Sequence, residues 1–115
     1  MRQTGIIITD RGSRYAASGG AVADRAGVDA FLTTLKQAKK YARATHNSWA
    51  VLLPDGPLKG DDGEAGAGAA ILRMLERAEL PCHIIVVTRW YGGVKLGGDR
   101  FRHVTEAVRF YLSAV

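Results

Sequence analysis

Three carboxylates stand together in the middle of the chain, in "KGDDGEAGAGAA": Asp61, Asp62 and Glu64, running straight into a glycine–alanine stretch. Acids so placed offer oxygen ligands for Mg²⁺ or Ca²⁺, proton transfer in a hydrolase with His46 as partner, or a negatively charged start to a helix. The first two need company that the sequence does not supply. The alternating oxygens and closing Glu of the standard Ca²⁺ loop are missing, and no specific nucleophile, base or ligand set stands elsewhere. The helix reading also accounts for the glycines and alanines after the acids. Carboxylates ahead of a helix accept from its free N–H groups and match its positive end, worth about 1 kcal/mol. Gly66 and Gly68 would let that first turn approach another backbone closely. The stretch reads as a helix start and recognition surface, with a hydrolase using Asp61, Asp62 or Glu64 as the lesser alternative.

A second candidate is "TRWYGGVKLGGDRF". Arg89, Lys95, Arg100 and Arg102 suit phosphates, and Trp90 or Tyr91 suits base stacking. The same aromatics serve equally as core or rim residues, and an exposed Trp-Tyr-Arg cluster has the makeup of a protein–protein hot spot. Protein recognition would use Arg89, Trp90, Tyr91, Asp99 and Arg100 together with the three acids. Nucleic-acid binding would use Lys36, Lys39, Lys40 and Arg43 together with Lys95, Arg102 and Arg109. The glycines match neither a GxxxxGK[ST] phosphate loop nor GxGxxG. His46, His83 and His103 are scattered and Cys82 is alone, so no metal site or cofactor is expected, and Cys82 reads as a buried thiol.

These groups must be positioned by regular elements. "TGIIITD" (4–10) reads as a strand, and "RGSRYAASGGAVA" as its antiparallel partner, turned at 10–12 and weakened or bulged near Gly19 and Gly20. Apolar residues from Val28 to Ala42 recur at helical spacing, predicting a helix over 28–43 with Lys36, Lys39, Lys40 and Arg43 on its basic outer face and end. "NSWAVLLP" predicts a strand and "PDGPLKGDDG" an exposed loop. Ala67 to Ala78 predict a helix, with Pro81 just beyond it, and "HIIVVT" a central strand buried on both faces. Asp99 is placed to cap a final helix through Phe101, Val104, Val108, Tyr111 and Leu112. The order ββαβαβα, without repeat or linker, implies one α+β domain over 1–115, a two-layer sandwich with helices on a single face.

The totals narrow the class. With 115 residues the chain is long enough for one core, and its hydrophobic and charged fractions exclude wholesale disorder. A net charge of +5 is compatible with an acidic partner. One cysteine rules out an internal disulfide and suits a reducing compartment. No stretch approaches the roughly 20 apolar residues that span a bilayer, and none has the pattern of a signal peptide. A cytoplasmic protein without membrane association is expected.

Read in order, "SRYAA", "ATHNSWAV", "DDGEAGAGAAILRML" and "VVTRWYGGVKLGGDRFRHV" resemble the IMPACT family from about Ser13 to the last helix. The last stretch looks more like the eukaryotic branch, the translational regulators of the general amino-acid control pathway, than like the bacterial one. The resemblance implies a two-layer α/β domain similar to the second domain of a small-subunit ribosomal protein, and regulation by binding rather than catalysis. In the eukaryotic members it implies competition for a large ribosome-associated activator, which restrains the kinase that phosphorylates an initiation factor. For bacterial relatives it suggests nucleic-acid binding. The regulators carry a separate N-terminal RWD domain, which this chain, opening at Met1, is expected to lack. It also has "AGAGAA" where the regulators read Thr-Ala-Ala-Gly after "DDGE", and Gly98 where proline is usual. A protein partner resembling the general-control activator is therefore expected first, and RNA or the ribosome second.

Overall fold

The computed structural model describes residues 1–114. Its elements run β1 (Arg2–Asp10), β2 (Ser13–Ala21), α1 (Arg25–Gln37), α2 (Lys39–Ala42), β3 (His46–Leu53), β4 (Gly56–Gly60), α3 (Ala67–Arg77), β5 (His83–Trp90) and α4 (Asp99–Ser113). The strands form one antiparallel sheet in the order β1-β2-β5-β3-β4. An α+β sandwich is thus observed, as expected.

The continuous apolar run of β5 takes the central position. Side chains alternate across a strand, so Ile85 and Val87 join one cluster with Tyr15, Ala17, Ile71, Leu75, Val104 and Tyr111, under α3 and α4. Ile84 and Val86 join a second with Val28, Leu35, Tyr41, Trp49 and Val51, under α1 and α2. The main sandwich is the sheet on α3 and α4, but helices on a single face is corrected: α1 and α2 cover the other face. A strand with no polar face leaves neither side free for water.

Two elements were not foreseen. The helix predicted over 28–43 starts earlier, where the Asp24 carboxylate accepts from the Gly27 N–H at 2.8 Å, and breaks at Ala38, whose ψ is 119°. In an unbroken helix Tyr41 would lie well away from the Leu35 face; the break turns it inward, where it is buried against Trp90 at 5.5 Å between ring centres. The supposed loop after Pro54 instead folds back as the edge strand β4, pairing Leu53 with Gly56 and Trp49 with Gly60. Its proline and glycines disguised it, although Pro is tolerated on an edge.

The β1–β2 turn is formed by Arg11 and Gly12, both at positive φ (48° and 84°), the conformation tight hairpins favour. Register irregularities lie in β1, between Gln3 and Ile8, and not at Gly19–Gly20. Gly19 serves packing: a Cβ there would collide with the Tyr111 hydroxyl.

Candidate functional site

The sheet register assembles the centre of the site. Arg89 lies opposite Tyr15 of β2 on one side and His46 of β3 on the other. It shares the parity of Ile85 and Val87, so its guanidinium is turned towards α3 and α4, and the residue is only 6% exposed. A charge so deeply buried requires a partner. Glu64, 3% exposed, supplies it: Oε1 lies 2.8 Å from Arg89 Nη1 and Oε2 lies 3.0 Å from His46 Nε2. Arg89 Nη2 reaches the Ser13 hydroxyl at 3.4 Å, and the rings of Tyr15 and Tyr91 each lie 5.6 Å from the guanidinium carbon.

The three acids hold three different posts. Asp61 accepts from the backbone N–H groups of Gly66 at 3.1 Å and Gly68 at 2.8 Å, the helix-start role expected of the cluster. These hydrogen bonds hold its carboxyl below the usual carboxylate range. Gly68 permits the approach, since a Cβ would stand 2.9 Å from Asp61 Oδ1 and 3.3 Å from the Gly60 backbone. Asp62, at φ 49°, accepts from the Asn47 N–H at 2.7 Å and turns its carbonyl to His46 Nδ1 at 2.8 Å. Glu64 alone is delivered to the buried guanidinium.

This arrangement constrains His46. Both of its nitrogens face acceptors, Nδ1 the Asp62 carbonyl and Nε2 the Glu64 carboxylate. Among the described residues no group of His, Cys, Asp and Glu is placed to hold a metal ion.

Above the buried pair opens a cleft of about 540 Å³, lined by Thr45, His46, Gly63, Glu64, Arg89, Tyr91, Lys95, Leu96, Gly97 and Arg100. The two chemistry-bearing stretches of the sequence therefore meet, with the acid loop on one wall and the β5–α4 loop on the other. Of the sequence candidates, Glu64, Arg89, Tyr91, Lys95 and Arg100 come together here. Tyr91 is 46% exposed at the rim, and its backbone N–H donates to the Thr45 hydroxyl at 2.9 Å.

The remaining candidates lie elsewhere. Trp90 has the opposite parity to Arg89 and packs on the far face of the sheet, donating from its indole N–H to the Lys40 carbonyl at 2.9 Å. Lys36, Lys39, Lys40 and Arg43 are exposed on α1, on α2 and just after it, and the Lys40 ammonium lies 5.3 Å from the centre of the Trp90 ring. Asp99 is the first residue of α4 rather than its cap; its carboxylate pairs with Arg11 at 2.6 Å and with Arg102 at 3.7 Å. Arg109 pairs with Glu106 on the exposed side of α4. The Arg11 guanidinium and His103 at Asp10 hold that carboxyl down at about 2, and this cluster ties the β1–β2 turn to α4. Residue types alone do not connect Thr45 and Leu96 with the cleft, or Ser13 with Arg89: strand pairing sets Ser13 and Thr45 beside Arg89, and the β5–α4 loop brings in Leu96.

The Impact N-terminal domain family model matches residues 11–112. The chain is 38% identical over 117 residues to the Protein IMPACT homolog of Caenorhabditis elegans, covering 95% of this chain and 46% of that protein. It is similar in fold to a crystal structure of a hypothetical protein, with a TM-score of 0.81, 22% identity, and coverage of 94% of this chain and 56% of the other. It is also similar to the two-domain translational regulator Yih1, with a TM-score of 0.54, 31% identity, and coverage of 93% of this chain and 44% of the other. The chain thus spans less than half the length of the worm relative and of Yih1.

Proposed function

The chain belongs to the Impact N-terminal domain family, and from that premise we propose that it is a non-enzymatic regulatory domain that acts on translation by binding a protein partner. The observation that carries the reading is the cleft between the acid loop and the β5–α4 loop. It offers an exposed aromatic, cations without an acidic partner among the described residues and a buried ionic floor, the composition of an interface anchor rather than of a catalytic centre. Catalysis finds less support, because His46 has both nitrogens committed and Asp61 and Asp62 hold backbone groups in place. The similarity to Yih1, a translational regulator by name, supports a role in translation. We propose that the partner is a ribosome-associated activator of the kinase acting on an initiation factor, and that the domain works in the cytoplasm.

RNA or ribosome binding is the second reading, favoured by the exposed Lys36, Lys39, Lys40 and Arg43, of which Lys40 lies over the Trp90 ring. Of its candidate residues Lys95 lines the cleft itself, but Lys39 and Lys40 lie across the sheet, so substitutions there separate the two. Affinity capture from nuclease-treated native lysate tests them. The leading reading expects a discrete protein retained by the wild-type chain and by Lys39→Gln/Lys40→Gln, and lost with Tyr91→Ala. Capture that disappears with nuclease, or that ignores Tyr91→Ala, speaks for the second.

A further inference from the structure

Resting on that recognition role, the charge pattern of the cleft specifies what enters it. Three of its side chains are permanent cations, Arg89, Lys95 and Arg100, against a single carboxylate, Glu64. Arg89 and Glu64 neutralise one another at 2.8 Å. Lys95 and Arg100 remain, and among the described residues neither has an acidic partner within salt-bridge distance. Arg100 is half-buried, its guanidinium carbon 4.8 Å from the centre of the Phe101 ring, and its Nε finds no hydrogen-bond acceptor. Buried N–H donors without acceptors are costly and uncommon in folded proteins, the more so on a charged group. The Nε of Arg89 is likewise unsatisfied. The wall therefore carries more donors and more positive charge than the chain itself answers.

The surroundings discriminate among anions. Leu96 is buried at the base and Tyr91 stands exposed at the rim, so an entering group meets apolar surface beside the cations. A phosphate backbone needs a track of cations, but Lys36, Lys39, Lys40 and Arg43 lie across the sheet, while Arg102 and Arg109 are already paired on α4. The cleft suits one anion carried on an apolar stem. We propose that it receives an acidic side chain, Asp or Glu, of the partner protein, its carboxylate bound by Arg100 and Lys95 and its stem resting on Tyr91 and Leu96. Arg100 provides the planar fork that carboxylates bind in bidentate fashion.

The test titrates the isotopically labelled chain with the capped pentapeptide Ac-Gly-Leu-Glu-Leu-Gly-amide, its Gln counterpart, inorganic phosphate and oligouridylate, following backbone amide shifts. The Glu peptide is expected to move Tyr91, Leu96, Gly97 and Arg100, and the Gln peptide to move them far less. Arg100→Gln and Lys95→Gln should each weaken the Glu peptide roughly tenfold, while Lys36→Gln leaves it unchanged; the amide spectrum of each variant reports its folding. No response to the Glu peptide, an equal response to the Gln peptide, a stronger response to phosphate or oligouridylate, or undiminished binding in both cleft variants overturns the proposal. If the peptide fails while Tyr91→Ala still loses the captured protein, the acidic side chain is excluded and the recognition role stands.

Discussion

At the scale of single residues, adjacent acids of one chemical type are separated by what each one meets. Asp61 answers the N–H groups at the start of α3, Asp62 braces β3 and His46, and Glu64 neutralises Arg89. Asp61→Ala should lower stability by about 1 kcal/mol at neutral pH in urea unfolding. Because the folded carboxyl titrates below its usual 3.8, its contribution is complete above that pH and is lost as pH falls through the folded value. The difference between wild type and variant should therefore shrink on acidification below about pH 4. Glu64→Ala leaves a buried guanidinium uncompensated and should cost about 3–5 kcal/mol. A loss below about 1 kcal/mol would mean that the pair behaves like an exposed one.

At the scale of elements, close backbone approach holds the walls of the cleft. The loop after β5 passes the β1–β2 turn so tightly that a Cβ on Gly92 would collide with the Gly12 carbonyl carbon and the Ser13 nitrogen. Both contacts are with backbone, which cannot swing aside as a side chain can. Gly92→Ala should lower stability by about 1–3 kcal/mol in thermal or urea unfolding, whereas the open position Gly98 should accept Ala at little cost. Legibility in sequence follows from the same physics. Periodic patterns announced β3, α3 and α4, apolar runs announced β1 and β5, and β2 followed as the partner of β1, because burial imposes such patterns directly. The edge strand β4 hid behind Pro57 and its glycines, and the break at Ala38 answers a need of Tyr41 that appears only in three dimensions. "HIIVVT" already implied cover on both faces of the sheet, an implication that the single-face expectation overlooked. The site was half legible. Its two stretches could be picked out by residue type, but the separation of Arg89 from Trp90 onto opposite faces depends on strand parity, and the company of Ser13, Tyr15 and His46 on register.

At the scale of the whole molecule, the net charge of +5 is spread over separate surfaces. The lysines of α1 and α2 lie on one face of the sheet, and the arginines of α4 on the other, where Arg100 lines the cleft beside the end of β5. We propose that recognition runs through the cleft rather than through the lysines of α1 and α2. The measurement that bears on this most directly is the affinity of the captured and purified partner for the chain across a salt series. It is made with wild type, Tyr91→Ala and Lys39→Gln/Lys40→Gln. Protein recognition through the cleft predicts a shallow salt dependence, a loss of roughly tenfold or more in Tyr91→Ala, and near wild-type affinity in the double lysine variant. A steep fall with salt, together with loss of binding in the lysine variant and none in Tyr91→Ala, would contradict it.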